Sequence, residues 1–176
     1  MKIAQIGEAV LRNPARKVND EEFTQAELSL FADDLLATLL EANGVGIAAP
    51  QVFDSRAMMF IASRPNARYP KAPQMEPLLL INPSILSQSD DLVWEWEGCL
   101  SVPGLRGKIA RPYWVEVHYQ NLQGDKLHQR FEGFVARVFL HEFDHLIGKT
   151  WLDHISDSKH IMANEVWLNA LEQGLL

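Results

Sequence analysis

Apolar residues recur at helical spacing in three stretches of the chain. The first covers Ala26–Ala42 and stops before Gly44, which stands where a C-cap residue would. The second covers Gly133–Ile147 and is followed by Gly148, and the third runs from about Asp157 to Gln173. The pattern predicts three amphipathic helices, one near each end of the chain and one between them.

Five short stretches are rich in β-branched and aromatic residues and are bounded by Gly, Pro, Asn or Asp, as is typical of strands. They are Ala57–Ala62, Leu78–Asn82, Leu92–Trp96, Trp114–Gln120 and Lys126–Phe131. The run Asn121–Asp125, which contains Gly124, predicts a hairpin turn between the last two strands. The proline-rich run Arg64–Pro77 predicts a surface loop. This order of elements favours an α+β fold with mainly antiparallel strands over a parallel α/β sheet.

Composition and charge narrow the class of protein. The 176 residues are 47% hydrophobic and 22% charged, which favours one soluble globular domain over residues 1–176. The formal charge of -7 has the wrong sign for a protein that holds nucleic acid by neutralising phosphates. The longest aliphatic run, Leu78–Ile81, is far too short for a membrane helix, and no signal-peptide pattern opens the chain. We expect a cytoplasmic protein.

The segment His141-Glu-Phe-Asp-His145 has the HExxH pattern. On a helix its two histidines lie one turn apart on one face, so both imidazoles can reach one metal ion. Glu142 then lies beside the ion without binding it. In that position it serves as the general base for a water molecule whose pKa the cation has lowered.

A catalytic ion needs a third protein ligand, and the candidates separate different classes of enzyme. The metzincin pattern requires a third histidine where this chain has Trp151, so that class is excluded. Glu165 follows the HExxH segment at about the same distance as the glutamate ligand does in thermolysin-like peptidases. The remaining candidate is Cys99, the single cysteine, which has no partner for an internal disulfide.

Three short motifs give the chain a resemblance to a known family. Gly44-Val-Gly-Ile-Ala-Ala-Pro-Gln51, Glu97-Gly-Cys-Leu-Ser101 and the segment from His141 to His145 match the GxGxAAxQ, EGCxS and QHExDH motifs, in the same order. The chain therefore resembles peptide deformylases over essentially its whole length. One departure is Leu140, where the family usually has glutamine. The resemblance implies mainly antiparallel sheets packed around a central helix that carries HExxH.

The resemblance also implies a metal site and an oxyanion site. Cys99, His141 and His145 would hold one divalent ion per chain and leave one coordination position for water. Such a ligand set suits Zn²⁺, Fe²⁺, Co²⁺ or Ni²⁺, and the family implies Fe²⁺ in the cell with the other ions as substitutes. The family assigns the Gln51 amide and the Leu100 backbone N–H as donors to the developing oxyanion.

Substrate contacts follow from the same motifs and from the helix. Small residues permit close approach of a peptide backbone, although the glycine pair also fits a plain turn after a helix. Phe134 and Val138 lie on the side of the helix that bears the ligands, where they form either an apolar slot for an unbranched thioether side chain or ordinary core. The residues expected to contact substrate are Gly44, Val45, Gly46, Glu97, Arg106, Phe134, Arg137 and Val138.

The arginines leave alternatives open. Arg137 either borders the slot or is a surface charge. Arg106 and Arg111 either pair with Asp144 or hold substrate carbonyl groups.

The most direct hypothesis is a monomeric metallohydrolase that releases formate from the N-terminal formyl-methionine of newly synthesised polypeptides, transiently near the ribosome. It implies no direct reading of nucleic acid and no membrane association. One alternative is a small zinc endopeptidase that uses His141, His145 and Glu165. Another is a deformylase-like protein that binds metal or nascent chains without turnover, against which the intact Glu142 argues.

Overall fold

Three α-helices and eight β-strands make up the computed structural model, which describes residues 1–175. The helices are α1 (Ala26–Glu41), α2 (Gly133–Leu146) and α3 (Asn164–Glu172). The strands are β1 (Gly46–Ala48), β2 (Met58–Ile61), β3 (Leu78–Gln88), β4 (Leu92–Cys99), β5 (Val102–Pro112), β6 (Trp114–Gln120), β7 (Lys126–Glu132) and β8 (Ile161–Ala163). No helix within this range is long and apolar enough to cross a membrane.

The strands form two antiparallel sheets. The larger has the order β1-β2-β3-β6-β7, and the smaller has the order β4-β5-β8. The predicted combination of helices with antiparallel sheets is confirmed, as is the hairpin turn at Asn121–Asp125, where Gly124 has a φ of 82°.

Alternation along β2 explains how the larger sheet packs. Met58 and Phe60 point towards the apolar residues of α1, whereas Met59 and Ile61 point towards those of α2. Successive side chains of a strand face opposite sides of a sheet, so one all-apolar strand packs a helix on each side. Leu140 belongs to the α2 layer, where it is buried.

The largest differences from the prediction are strands β5 and β8 and the start of α3. β5 was not predicted because Pro103, Gly104 and Gly107 interrupt its pattern of apolar residues. Gly107 leaves room for Trp151, because a Cβ at this position would lie 2.3 Å from the indole ring. The predicted helix from Asp157 was wrong in its first half: residues 161–163 form β8 on the free edge of β5, and the helix begins only afterwards.

Smaller differences have local causes. β3 continues to Gln88, whereas the prediction ended it at Asn82. Asn82 adopts a left-handed φ of 51° and the register shifts there, but the pairing with β6 continues beyond it. β1 has three residues and was not predicted. After α1 the left-handed residue is Asn43, not Gly44.

The smaller sheet is joined to α2 by buried charges. Glu97 of β4 accepts hydrogen bonds from Arg111 Nε at 2.8 Å and from Arg137 Nη1 at 2.8 Å. Arg111 also donates to Asp144 of α2 at 2.7 Å, and His154 donates to the same carboxylate at 2.8 Å. Burial opposes ionisation of Glu97, but the adjacent Arg111 guanidinium holds its pKa well below the usual range.

Replacing Arg111 by alanine would leave two buried carboxylates without their shared cation. We expect Arg111→Ala to lower the free energy of unfolding by about 3–5 kcal/mol, measured by urea denaturation. Arg130→Ala is the matched control, because Arg130 pairs with Glu132 at the surface and such pairs contribute about 0–1 kcal/mol. Equal losses in the two variants would contradict the assigned role of the buried cluster.

Candidate active site and metal centre

A cavity of about 280 Å³ lies between the turn after β4, the start of β1 and one face of α2. It brings together residues that are as far apart in the chain as Gly44 and His141. The residues predicted to contact substrate or the oxyanion all line it: Gly44, Val45, Gly46, Gln51, Glu97, Leu100, Arg106, Phe134, Arg137 and Val138. Cys99, His141 and Glu142 line it as well.

Cys99, His141 and His145 can share one metal ion. One ligand atom of each lies within 4.8 Å of the others, and Cys99 Sγ is 3.3 Å from His145 Nε2. α2 places the histidines one turn apart, and the end of β4 presents the sulfur. Glu165 lies exposed on α3 and is not part of this group. The geometry therefore favours Cys99 over Glu165 as the third ligand.

The donor set fits a transition-metal ion. Glu97 Oε2 accepts a hydrogen bond from His141 Nδ1 at 2.8 Å, which leaves Nε2 of that ring for an ion. Burial opposes ionisation of Cys99, but the nearby imidazoles of His145 and His141 lower the pKa of its thiol well below the usual value. The thiolate is the form that binds metals. A thiolate with two imidazoles suits Zn²⁺, Fe²⁺, Co²⁺ or Ni²⁺.

Glu142 is a buried carboxyl group beside the ligands. Burial raises its pKa to about 7, and within the described chain its Oε2 atom has no hydrogen-bond partner. A carboxyl group with a pKa near the working pH can both take and return a proton. Gly46 makes its position possible, because a Cβ there would lie 2.4 Å from Glu142 Oε1.

Gln51 is held in one orientation by its neighbours. Its Oε1 accepts a hydrogen bond from the Ala48 backbone N–H at 2.8 Å, and its Nε2 donates to Ser101 Oγ at 3.1 Å. The same Nε2 lies 3.6 Å from Cys99 Sγ, so the amide N–H group is directed to the ligand end of the cavity. Leu100 occupies the turn between β4 and β5 on the cavity wall.

The structure separates the roles of the arginines. Arg111 pairs with Asp144, whereas Arg106 donates to Asn164 Oδ1 and to Tyr69 Oη, each at 3.0 Å. The Arg106 guanidinium also lies 3.8 Å from the centre of the Trp167 ring. Arg137 is buried, so the interpretation of it as a surface charge was wrong.

Some residues of the cavity wall were missed from sequence. Tyr69 belongs to the proline-rich loop, and its ring packs 4.9 Å from that of Phe134. Trp96 of β4 and Asn164 of α3 also line the cavity. The sequence does show that Tyr69 is an aromatic residue inside a proline-rich surface loop. Neither the length of that loop nor its residue pattern shows which part of the protein Tyr69 packs against.

Phe134 and Val138 belong both to the core region and to the cavity wall. Val138 belongs to the buried core, and Phe134 packs against that core. Both also line the cavity beside His141. The same two side chains thus serve the core and border the cavity.

Comparison with known protein families agrees with the resemblance carried by the motifs. A family model described as polypeptide deformylase matches residues 1–160. The chain is 46% identical to peptide deformylase 2 of Nostoc sp. over 94% of this chain and 91% of that protein. It is 49% identical to peptide deformylase 2 of Shewanella oneidensis over 94% of this chain and 90% of that protein.

Solved structures give the same result. A class I type b peptide deformylase from Acinetobacter baumannii, crystallised with Met-Ala-Ser bound, superposes with a TM-score of 0.86 at 45% identity over 87% of this chain and 96% of that one. A peptide deformylase from Thermotoga maritima superposes with a TM-score of 0.78 at 35% identity over 88% and 97%. With the motif residues gathered around one cavity and this likeness along nearly the whole chain, the protein belongs to the polypeptide deformylase family of enzymes.

Proposed function

We propose that this enzyme removes the formyl group, as formate, from the N-terminal formyl-methionine of newly synthesised polypeptides. One divalent ion per chain would be held by Cys99, His141 and His145. The observation that carries the proposal is the buried carboxyl group of Glu142, whose Oε2 has no hydrogen-bond partner among residues 1–175, next to three convergent candidate ligand atoms. We also propose that residues 1–176 form one catalytic domain in which the sheets pack around α2 at the centre.

The chemistry needs a proton carrier and stabilisation of the carbonyl oxygen. A bound divalent ion would polarise the formyl carbonyl and lower the pKa of water. Glu142 takes a proton from the water that attacks the formyl carbon, and returns it to the nitrogen as the C–N bond breaks. The products are formate and a free amino terminus. Gln51 Nε2 and the Leu100 N–H donate hydrogen bonds to the oxygen as its charge develops.

The substrate and the resident metal follow from the same site. Phe134 and Val138 form an apolar wall that fits the unbranched thioether side chain of methionine. We propose Fe²⁺ as the cellular ion, with Zn²⁺, Ni²⁺ and Co²⁺ as substitutes, since a thiolate and two imidazoles accept all four. Because the substrate is a new polypeptide end, we propose that the enzyme acts in the cytoplasm, transiently near the ribosome. We also propose that it acts as a monomer.

The two alternatives lack this support. The endopeptidase hypothesis needs Glu165 as a ligand, but Glu165 is exposed and lies outside the ligand group. The hypothesis of a binding protein without turnover gives no role to a buried glutamate with a pKa raised to about 7 by burial. We therefore retain the hydrolase.

Formate release from formyl-Met-Ala-Ser, by protein purified without oxygen, tests the proposal. Glu142→Gln should keep its bound ion and lose at least about 100-fold in kcat, because the proton carrier is removed and the ligands remain. Glu165→Gln is the matched control, an exposed glutamate whose loss should leave kcat unchanged. Wild-type kcat in Glu142→Gln would show that another group moves the proton.

Metal content tests the ligand set separately from turnover. Cys99→Ser should lose most of its bound ion, because the serine hydroxyl stays protonated and neutral at pH 7. Glu165→Ala should retain about one ion per chain. Metal content is measured by elemental analysis. Loss of the ion from Glu165→Ala and its retention by Cys99→Ser would identify Glu165 as the third ligand.

A further inference from the structure

A second cavity of about 510 Å³ adjoins the active-site cavity. Five residues line both, namely Arg68, Tyr69, Trp96, Phe134 and Arg137. The two spaces therefore adjoin along these five side chains. The larger space is not accounted for by the metal ligands, Glu142 or Gln51, none of which lines it.

The second cavity is rich in aromatic residues. Its walls include two of the chain's three tyrosines, Tyr69 and Tyr113, and two of its five tryptophans, Trp96 and Trp167. Val93 of β4 and Leu171 of α3 add aliphatic surface. Charged side chains, those of Arg68, Lys71, Glu95 and Arg137, also border it. Aromatic and aliphatic walls of this kind favour apolar groups.

The charge of Arg137, one of the five shared residues, is compensated. Arg137 donates to Glu97 Oε1 at 2.8 Å and to the Val93 carbonyl oxygen at 2.6 Å. An apolar chain that passes this guanidinium therefore does not strip a free cation of water.

The direction of α2 relates the second cavity to the metal ligands. Phe134 precedes His141 by seven residues, which is about 10 Å along a helix axis. Arg137 precedes it by four, about one turn. A first side chain that starts near the ligands and runs towards Phe134 thus points at the second cavity.

We propose that the slot for the first residue continues past Phe134 into the second cavity, so that peptides whose first side chain is unbranched and longer than methionine's bind more tightly than those with a four-atom side chain. The inference rests on the proposed function, because it takes the cavity beside His141 as the place of the first residue. The ligand class is long unbranched alkyl side chains, and the passage lies alongside Tyr69, Phe134 and Arg137, where the two cavities adjoin.

Binding of deformylated peptides tests the proposal without turnover. The probes are tripeptides X-Ala-Ser in which X is norleucine, 2-aminooctanoic acid or 2-aminodecanoic acid, with side chains of four, six and eight carbons. Dissociation constants for the metal-loaded enzyme are measured by tryptophan fluorescence, since Trp96 and Trp167 line the second cavity. We expect Kd to fall about fourfold per added methylene. A six-carbon peptide that binds no more tightly than the norleucine peptide would overturn the proposal.

Two substitutions on β4 locate the effect. Val93 is 37% exposed and lines only the second cavity, whereas its neighbour Leu92 is 58% exposed and lines neither. Val93→Trp should abolish the gain from the longer side chains and leave the Kd of the norleucine peptide within about twofold. Leu92→Trp should retain the gain. If Val93→Trp weakens all three peptides equally, or leaves the gain intact, the continuation does not exist.

The same preparations separate this inference from the proposed function. Formyl-Met-Ala-Ser is assayed for formate release by wild-type enzyme and by both variants. Absence of formate release together with the graded gain in binding would count against the hydrolase and leave the continuous slot standing. Formate release without the graded gain in binding would support the hydrolase and overturn the continuous slot.

Discussion

The carboxylate of Glu97 joins the paired strands β4 and β5 of the smaller sheet to α2. It lies in β4 and accepts hydrogen bonds from Arg111 of β5 and from Arg137 and His141 of α2. Burying a carboxylate is costly unless every lone pair finds a donor, so this arrangement tolerates little displacement of any partner. Cys99 follows Glu97 by two residues, and its sulfur consequently lies against the histidines of α2.

Two glycines permit the close approaches that the cluster requires. Gly46 leaves room for the carboxyl group of Glu142, and Gly98 packs against the Arg106 guanidinium, where a Cβ would lie 3.1 Å from Cζ. Each of these two glycines is thus explained by a neighbour from a distant part of the chain. The segment of residues 44–46 resembles a turn in sequence, and in the structure its second glycine leaves space for the side chain of Glu142.

Local patterns in the sequence predicted the parts of the molecule that local physics determines. The prediction for α2 differs from the structure by one residue, Ile147, and β6 was predicted with its observed bounds. The HExxH spacing placed two ligands on one helix face. β8 and the start of α3 were missed because residues 161–163 become a strand only by pairing with the distant edge of β5.

The candidate site shows the same division. The three proposed ligands and Glu142 could be identified as candidates because their residue types and spacing are tied to metal chemistry. Tyr69 could not, because its place on the cavity wall depends on Arg106 and Phe134, which lie 37 and 65 residues further along the chain. The resemblance to the family supplied Gln51 and Leu100, whose roles no periodicity indicates.

The measurement that tests the account most directly is the metal affinity of Glu97→Gln. The substitution keeps the size of the side chain and removes the charge that orients His141 through its Nδ1 atom. If this buried carboxylate sets the geometry of the ligands, the affinity of the folded variant for Zn²⁺ or Co²⁺ should fall by about 10–100-fold, measured by competition with a chelator. An unchanged affinity in a variant that urea denaturation shows to be folded would contradict the account.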